Sequence, residues 1–373
     1  MVQPTGTGLV RRFSNGRPKP QINTEPLLEE TADSFIEATL AQRHPELHQV
    51  RAPEGYRLRG SSTLVDSTGA VVQQWIKTAK VQDDPAFLVS LCKAAVLADP
   101  IPAAPLVKKP KDVAEDYEVA IILGDPHFGM LAWGKETGDS NWNTEIARDI
   151  HTRAIREALR LSPASSRLLL INLGDAVHAD GNSGTTTAGT RVDVDSRWPD
   201  VVSVFVETMS VAITEGLQKH EHVEFVCSKG NHDELTAMVI RMVLAERWRN
   251  NPRVTIADNL KSIWGHKFGN NLICATHGDK TKSNKIPSLI AEDFRKEWGA
   301  TTRALIYAGH VHHRQVQEYP GIEVEYMRVL CPKDAWHSAA GYRSRRSLRC
   351  DVWHRTFGRV MTHEIGIEQF QDA

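Results

Sequence analysis

Long apolar runs are missing from this chain. No stretch of its 373 residues comes near the ~20 apolar residues that span a bilayer, so no membrane partner is expected. The N-terminus has charges but no apolar core after them, which argues against a secretory leader. Cysteine is scarce: Cys92, Cys227, Cys274, Cys331 and Cys350 form no CxxC pair. A dispersed, odd set reads as reduced thiols in a cytoplasmic protein and excludes a disulfide framework. There is almost no net charge either, with 45 Lys plus Arg against 46 Asp plus Glu. That balance rules out a polyanion-coating protein and leaves room only for a local basic groove. Histidine, by contrast, is plentiful at 16 residues, and where those residues sit decides the reading.

The first 24 residues hold Arg11, Arg12, Arg17 and Lys19 and no acid, among Gly, Pro, Ser and Thr. They read as a mobile basic tail, either a plain disordered terminus or a nucleic-acid arm. Residues 25–99 read as a small α+β accessory domain. Pro26 to about Gln42 is expected to be helical, with Leu27, Leu28, Phe35, Ile36 and Leu40 as a rough apolar stripe. Leu58–Val65 and Ala70–Ile76 flank Asp66-Ser67-Thr68-Gly69 and predict a hairpin. Asp83 or Asp84 can cap a second helix through Pro85, Phe87, Leu88, Leu91 and Ala95. Helix, hairpin and helix fit a winged-helix-like DNA reader, although no convincing recognition helix is visible. A stiff Pro/Lys linker at 100–112 carries Pro100, Pro102, Pro105 and Pro110 among Lys108, Lys109 and Lys111.

From residue 113 to 373 the rhythm changes to that of a catalytic domain. Strands are expected at Tyr117–Leu123, Arg167–Leu173, Val223–Cys227, Asn271–Thr276 and Ala304–Ala308. Amphipathic helices are expected between them at Thr144–Leu161, Trp198–Leu217 and Glu234–Trp248. This alternation predicts an α/β fold with helices covering a sheet. Later runs at Ile322–Leu330, Asp351–His354 and Arg359–Glu364 lack long helices between them and suggest an antiparallel portion.

Each early strand ends in a cluster of polar ligands. In order these are Gly124-Asp125-Pro126-His127, Gly174-Asp175-Ala176-Val177-His178, Gly230-Asn231-His232-Asp233, His277-Gly278-Asp279 and Gly309-His310-Val311-His312. Open α/β sheets place their sites at such carboxyl ends. Asp, Asn and His without Cys form a hard to borderline ligand set, suited to Mn, Fe, Zn or Mg. Seven such ligands exceed what one octahedral ion needs, so two ions sharing a carboxylate are the natural solution. Two ions about 3.5–4 Å apart can clamp both the attacking and the leaving oxygens of a phosphoryl displacement.

The five motifs, in this order, resemble the calcineurin-like metallophosphoesterase superfamily over residues 117–315. The resemblance implies a layered β-sandwich core flanked by helices. It also implies two divalent ions, Mn2+ first, with Fe, Zn, Ni or Mg as alternatives. One ion would be held by Asp125, His127, Asp175 and His312. The other would be held by Asp175, Asn231, His277 and His310, with Asp175 bridging and a hydroxide between the ions attacking phosphorus. His232 would serve the leaving oxygen. His178, where protein phosphatases carry a different residue, resembles Mre11-type DNA nucleases, in which a second histidine lies beside the catalytic one; that likeness implies a catalytic His178 near the scissile phosphate, dividing with His232 the work on two phosphate oxygens. A structural hydrogen bond from His178 to a nearby turn is the alternative. Trp133–Gly138, Asp193–Trp198, Asp334–His337 and the hairpin resemble metallophosphoesterases encoded by tailed bacteriophages, which would make the location the host cytoplasm.

These features lead to a DNA exonuclease with DNA as partner, and by analogy a homodimer. A nucleotide or cyclic-nucleotide phosphodiesterase or phosphomonoesterase acting on small substrates is the alternative, and a non-catalytic relic a third reading. Substrate contacts are expected from His313, Lys280, Tyr342 and Arg343. Lys282, Lys285, Arg345, Arg346, Arg349 and Trp336 lie in the same basic and aromatic stretches. The Gly, Ser and Thr run at 181–191 is expected to be a flexible loop, closing over substrate or merely inserted.

Overall fold

The computed structural model describes residues 56–68, 71–80, 102–104, 106–258 and 261–370. The expected basic tail and the expected helices at 26–42 and 85–95 lie outside these residues. The chain divides into two compact units, Met1–Phe87 and Leu88–Ala373.

In the first unit, β1 (Tyr56–Val65) and β2 (Val71–Lys80) pair antiparallel from Tyr56 opposite Lys80 to Val65 opposite Val71. Asp66 sets the turn: its carboxylate accepts the Thr68 amide at 2.8 Å and the Thr68 hydroxyl at 2.6 Å. The expected hairpin is therefore present, with both strands longer than their apolar runs.

The second unit is built on two sheets. Four parallel strands, β3 (Ala114–Leu123), β4 (Ser165–Asn172), β5 (His222–Cys227) and β6 (Val254–Ile256), form the centre and one edge of the first sheet. The second sheet contains β7 (Ile263–Phe268), β8 (Asn271–Thr276), β9 (Arg303–Ala308), β10 (Gln315–Tyr319) and β11 (Ile322–Tyr326). The first sheet is completed by β12 (Ser347–His354) and β13 (Gly358–Gly366), both antiparallel to their neighbours. The orders are β13-β12-β3-β4-β5-β6 and β10-β11-β9-β8-β7.

Alternation along the strands decides the layering. Val119, Ile121 and Leu123 face a cluster with Leu168 and Leu170, while Ala120 and Ile122 join Leu169 and Ile171 in another. The first cluster is closed by α2 (Thr144–Leu161), α3 (Trp198–Lys219) and α4 (Glu234–Trp248), through residues such as Ile155, Phe205 and Ile240. The second packs against Ile273, Ala275, Leu305 and Tyr307 of the other sheet. That sheet's outer face, with Leu272, Cys274 and Ile306, is covered by Ile286 and Ile290 of α5 (Ile286–Asp293). The result is the expected layered α/β sandwich flanked by helices. Two short helices, α1 (Gly134–Thr137) and α6 (Arg295–Gly299), and a third, α7 (Ala335–Ala339), complete the described set.

Two expectations change. The run Ile322–Leu330 stops being a strand at Tyr326, and β11 pairs parallel with β9. Its antiparallel partner is β10, an edge strand whose residues alternate half-buried and exposed, which its polar composition hides in the sequence. Segment 102–112 has little regular structure but is docked: the Ala104 amide donates to the Arg247 carbonyl at 2.8 Å, and Arg253 donates to the Val107 carbonyl at 2.8 Å. Cys227, Cys274, Cys331 and Cys350 are free and buried, and burial pushes the Cys227 and Cys350 thiols up to about 12. Among the described residues no helix is long and apolar enough to cross a membrane.

Candidate metal centre

The five ligand clusters follow β3, β4, β5, β8 and β9, so parallel strands of both sheets deliver their carboxyl ends to one place. Asp125, His127 and His312 form one group whose ligand atoms lie within 4.8 Å of one another, and Asp175, His277 and His310 form a second. Asn231 belongs with the second, its Oδ1 being 3.0 Å from His277 Nε2. The structure thus brings all seven expected ligands together.

The backbone bends to achieve this. Among the described residues, the non-glycine residues with positive φ are Asp125, His127, Asp175, His310 and His312, at 32° to 72°. All five are candidate ligands, and such conformations cluster where a site over-determines them. Glycine is required beside them: a Cβ on Gly230 would collide with Asp175, and one on Gly309 with Asp125. Asp233 then ties two clusters together. Its carboxylate accepts the amides of Gly230 at 2.8 Å, Asp175 at 3.2 Å and Ala176 at 2.6 Å.

The donor set fits divalent ions. His127 and His312 approach at 3.2 Å through their Nε2 atoms, and His312 Nε2 lies 3.1 Å from Asp125 Oδ2. Asp125 Oδ1 is buried without a hydrogen-bond partner. Burial, with His232 and His178 nearby, holds the His127 imidazole far below its ordinary pKa, leaving lone pairs for a cation. Burial opposes charge on His277 as well, but the Asp175 and Asp125 carboxylates outweigh it and raise its pKa. A proton there occupies the place that a cation would take in competition.

His178 is only 1% exposed, and its Nδ1 lies 3.1 Å from His127 Nδ1. It therefore stands against a ligand ring, with its Nε2 buried and without a hydrogen-bond partner. His232 stacks on it at 5.0 Å and 24°. The His232 amide donates to Asp175 at 2.8 Å, and its Nδ1 lies 2.8 Å from the His178 carbonyl. Since a carbonyl only accepts, Nδ1 carries the hydrogen and Nε2 is the working atom.

The expected substrate contacts separate. Lys280 is exposed and paired with Glu234 at 3.0 Å, and His313 is exposed and turned to the Val311 carbonyl at 2.8 Å. Tyr342 packs edge-on to His337 at 4.8 Å, close to His312, and Arg343 is exposed beside it. The sequence reading gave no site role to Asp334 or His337. Asp334 caps α7, accepting the His337 amide at 2.8 Å and lying 2.7 Å from its Nδ1, while His337 stacks on His312 at 4.7 Å. An acid three residues before a histidine was the available signal.

The 181–191 loop is not loose. The Asp180 amide donates to the Thr185 carbonyl and the Thr187 amide to the Asn231 carbonyl, while the Asp180 carboxylate takes the Thr236 amide at 2.9 Å. A cleft of about 350 Å3 beneath it is lined by Phe128, Gly181, Asn182 and Trp198 among others, and by none of the seven ligands. A second cleft, of about 280 Å3, reaches His312 itself.

No protein-family model matches the chain. No curated protein matches it. Among solved structures, it is similar to a conserved predicted phosphoesterase from Streptococcus pneumoniae, at 12% identity and a TM-score of 0.29, covering 68% of this chain and 99% of that one. It is also similar to an archaeal phosphodiesterase, at 12% identity and a TM-score of 0.32, over 66% and 99% of the two chains. A third is Vacuolar Protein Sorting 29 from Cryptosporidium parvum, at 11% identity and a TM-score of 0.33, over 68% and 100%.

Proposed function

We propose that this protein is a calcineurin-like, metal-dependent phosphodiesterase that hydrolyses DNA from a strand end. What carries the reading is the convergence of seven Asp, Asn and His side chains from five strand ends, with His232 presented beside them. Two divalent ions, Mn2+ first among those the ligands suit, would neutralise phosphoryl oxygens and lower the pKa of a water.

Asp125, His127 and His312 would hold one ion, and Asn231, His277 and His310 the other, with Asp175 between them. His232 Nδ1 is spent on the His178 carbonyl, so Nε2 is left to carry a proton to the leaving oxygen. His178 acts at one remove as a positioning residue. If His127 Nε2 held an ion, its Nδ1–H would donate to His178 Nδ1, 3.1 Å away, which would fix the ligand ring's tautomer. DNA is favoured over a small enclosed substrate by the rim: His310 is exposed, and cations and aromatic rings border His312.

The test is metal-stripped protein reloaded with Mn2+ and given end-labelled single- and double-stranded DNA. Nitrophenyl mono- and diesters run alongside, with His232→Ala as the blank. Progressive shortening of DNA that the variant lacks is the expected result. Intact DNA with rapid turnover of the small diester would replace DNA by a nucleotide. Inertness toward every ester across several metals would overturn the phosphodiesterase reading.

A further inference from the structure

The 280 Å3 cleft at the edge of the metal centre has a charge and wall composition that the hydrolytic machinery does not use. Its wall begins at His312, a candidate ligand, and continues through His337 and Tyr342. Asp334 occupies His337 Nδ1, which leaves Nε2 as that ring's remaining polar atom.

Around this wall stand Lys333, Arg343, Arg345 and Arg346 against a single lining carboxylate, Asp139. Lys333 at 3.2 Å and Arg346 at 3.3 Å both bind Asp139. Arg343 gives hydrogen bonds to the carbonyls of Tyr342 at 2.7 Å and Ser338 at 3.2 Å. Neither Arg343 nor Arg345 has a carboxylate partner among the described residues. Both side chains are exposed, so an incoming anion meets two arginines without first breaking an ion pair. The chain as a whole carries a net charge of −1, so this excess of cations is local.

We infer that the cleft is a second phosphate subsite, which holds the phosphate next to the scissile one. The inference rests on the phosphodiesterase reading and narrows its substrate class: a good substrate carries at least two phosphates. The neighbouring phosphate can come from the next diester of a strand or from a pyrophosphate linkage, and the guanidinium chemistry is the same for both.

Two substrate pairs differ by one phosphate: TpT against pTpT, and the p-nitrophenyl esters of thymidine 5′-monophosphate and 5′-diphosphate. With Mn2+-loaded protein, the extra phosphate raises kcat/KM about 10- to 100-fold in at least one pair, mainly through KM. The pair that responds identifies the source. In R343A/R345A that ratio falls toward one. A second readout needs no turnover: anisotropy of metal-free protein with a labelled, 5′-phosphorylated thymidine tetranucleotide across a NaCl series. The slope of log affinity against log salt becomes shallower by about 0.7 in the double variant, one phosphate contact on a single strand. Equal use of both members of both pairs by the wild type, or an unchanged ratio and slope in the variant, overturns the subsite. If the loaded wild type hydrolyses no diester, the phosphodiesterase reading fails, and the salt slope alone still decides whether the cleft binds phosphate.

Discussion

His178 Nδ1 lies 3.1 Å from Nδ1 of His127, so one candidate ligand ring is held from behind by a second, fully buried ring. His232, stacked on His178 and edge-on to His127 at 4.9 Å, has its Nε2 without a role in that packing. On the proposed reading, the two histidines have different duties. His178→Ala is expected to weaken metal binding by about 10- to 100-fold, as loss of an outer partner does. His232→Ala should retain its metal and lose about 10²- to 10⁴-fold in kcat. Metal content after equilibrium dialysis, set beside kcat at saturating Mn2+, separates them.

Asp233 accepts three backbone amides from two ligand clusters and is buried. Asp233→Ala leaves those amides without an acceptor, at roughly 1–3 kcal/mol for each one stranded, relaxation reducing the total. A drop in urea midpoint together with weaker metal binding is expected. A normal midpoint would show that water replaces the carboxylate at no cost.

Asp180 caps α4 from 56 residues away, taking the Thr236 amide at 2.9 Å and the Thr236 hydroxyl at 2.7 Å, with the Leu235 amide at 3.1 Å on its other oxygen. Asp180→Ala should cost about 1–2 kcal/mol, as lost N-caps do. It should also free the 181–191 loop, seen as faster amide exchange there and at the start of α4. Unchanged exchange at Thr187 would separate the loop from the cap.

Between the sheets, Asp351 is fully buried and bound by Tyr307 and Thr362 hydroxyls at 2.7 Å, Arg349 at 2.7 Å and Arg359 at 3.2 Å. Removing one partner of a buried ionic network strands the others. Asp351→Ala is expected to destabilise by about 3–5 kcal/mol in denaturant titration. Asp351→Asn, which keeps the shape, should cost less.

His220 is buried, and burial together with neighbouring Lys219 lowers its pKa from 6.5 to about 3. Ser165 donates its hydroxyl to the Arg167 carbonyl and so accepts from His220 Nδ1–H. The second ring nitrogen has no partner for an added proton. The unfolded chain takes up that proton below pH 6.5 and the folded chain only near pH 3. The stabilising contribution is therefore full above 6.5 and is lost as the pH falls between the two. At pH 5 the loss is about 2 kcal/mol. His220→Gln should flatten stability against pH over that window relative to wild type. An identical slope would assign acid sensitivity to other groups.

The centre was legible because every ligand sits in a short motif with a glycine neighbour at the end of an apolar strand. Thr144–Leu161 was legible too, since its buried Ile150, Ala154 and Ala158 recur at four-residue spacing. What escaped depends on partners distant along the chain. Asp180 reads as a loop acid until Thr236 is beside it, and Asp334 as a surface acid until His337 lies on His312. β6 is three residues long, and β7 mixes Gly265, His266 and Lys267 into its run, so neither has a clean period. The 181–191 run carries more hydrogen bonds than its composition suggests, for a related reason. Small polar residues look loose in a sequence, yet their backbones are free to lace a turn together.

Five side chains of the centre hang from left-handed backbone, at Asp125, His127, Asp175, His310 and His312. Each costs the fold about 1 kcal/mol that glycine would not. Against that cost stands what the side chains hold in place: Asp175 takes the His232 amide at 2.8 Å and Asp125 the His310 amide at 2.6 Å. Glycine at these positions would relax the backbone and leave both amides without their acceptors, so strain and bracing come from the same residues.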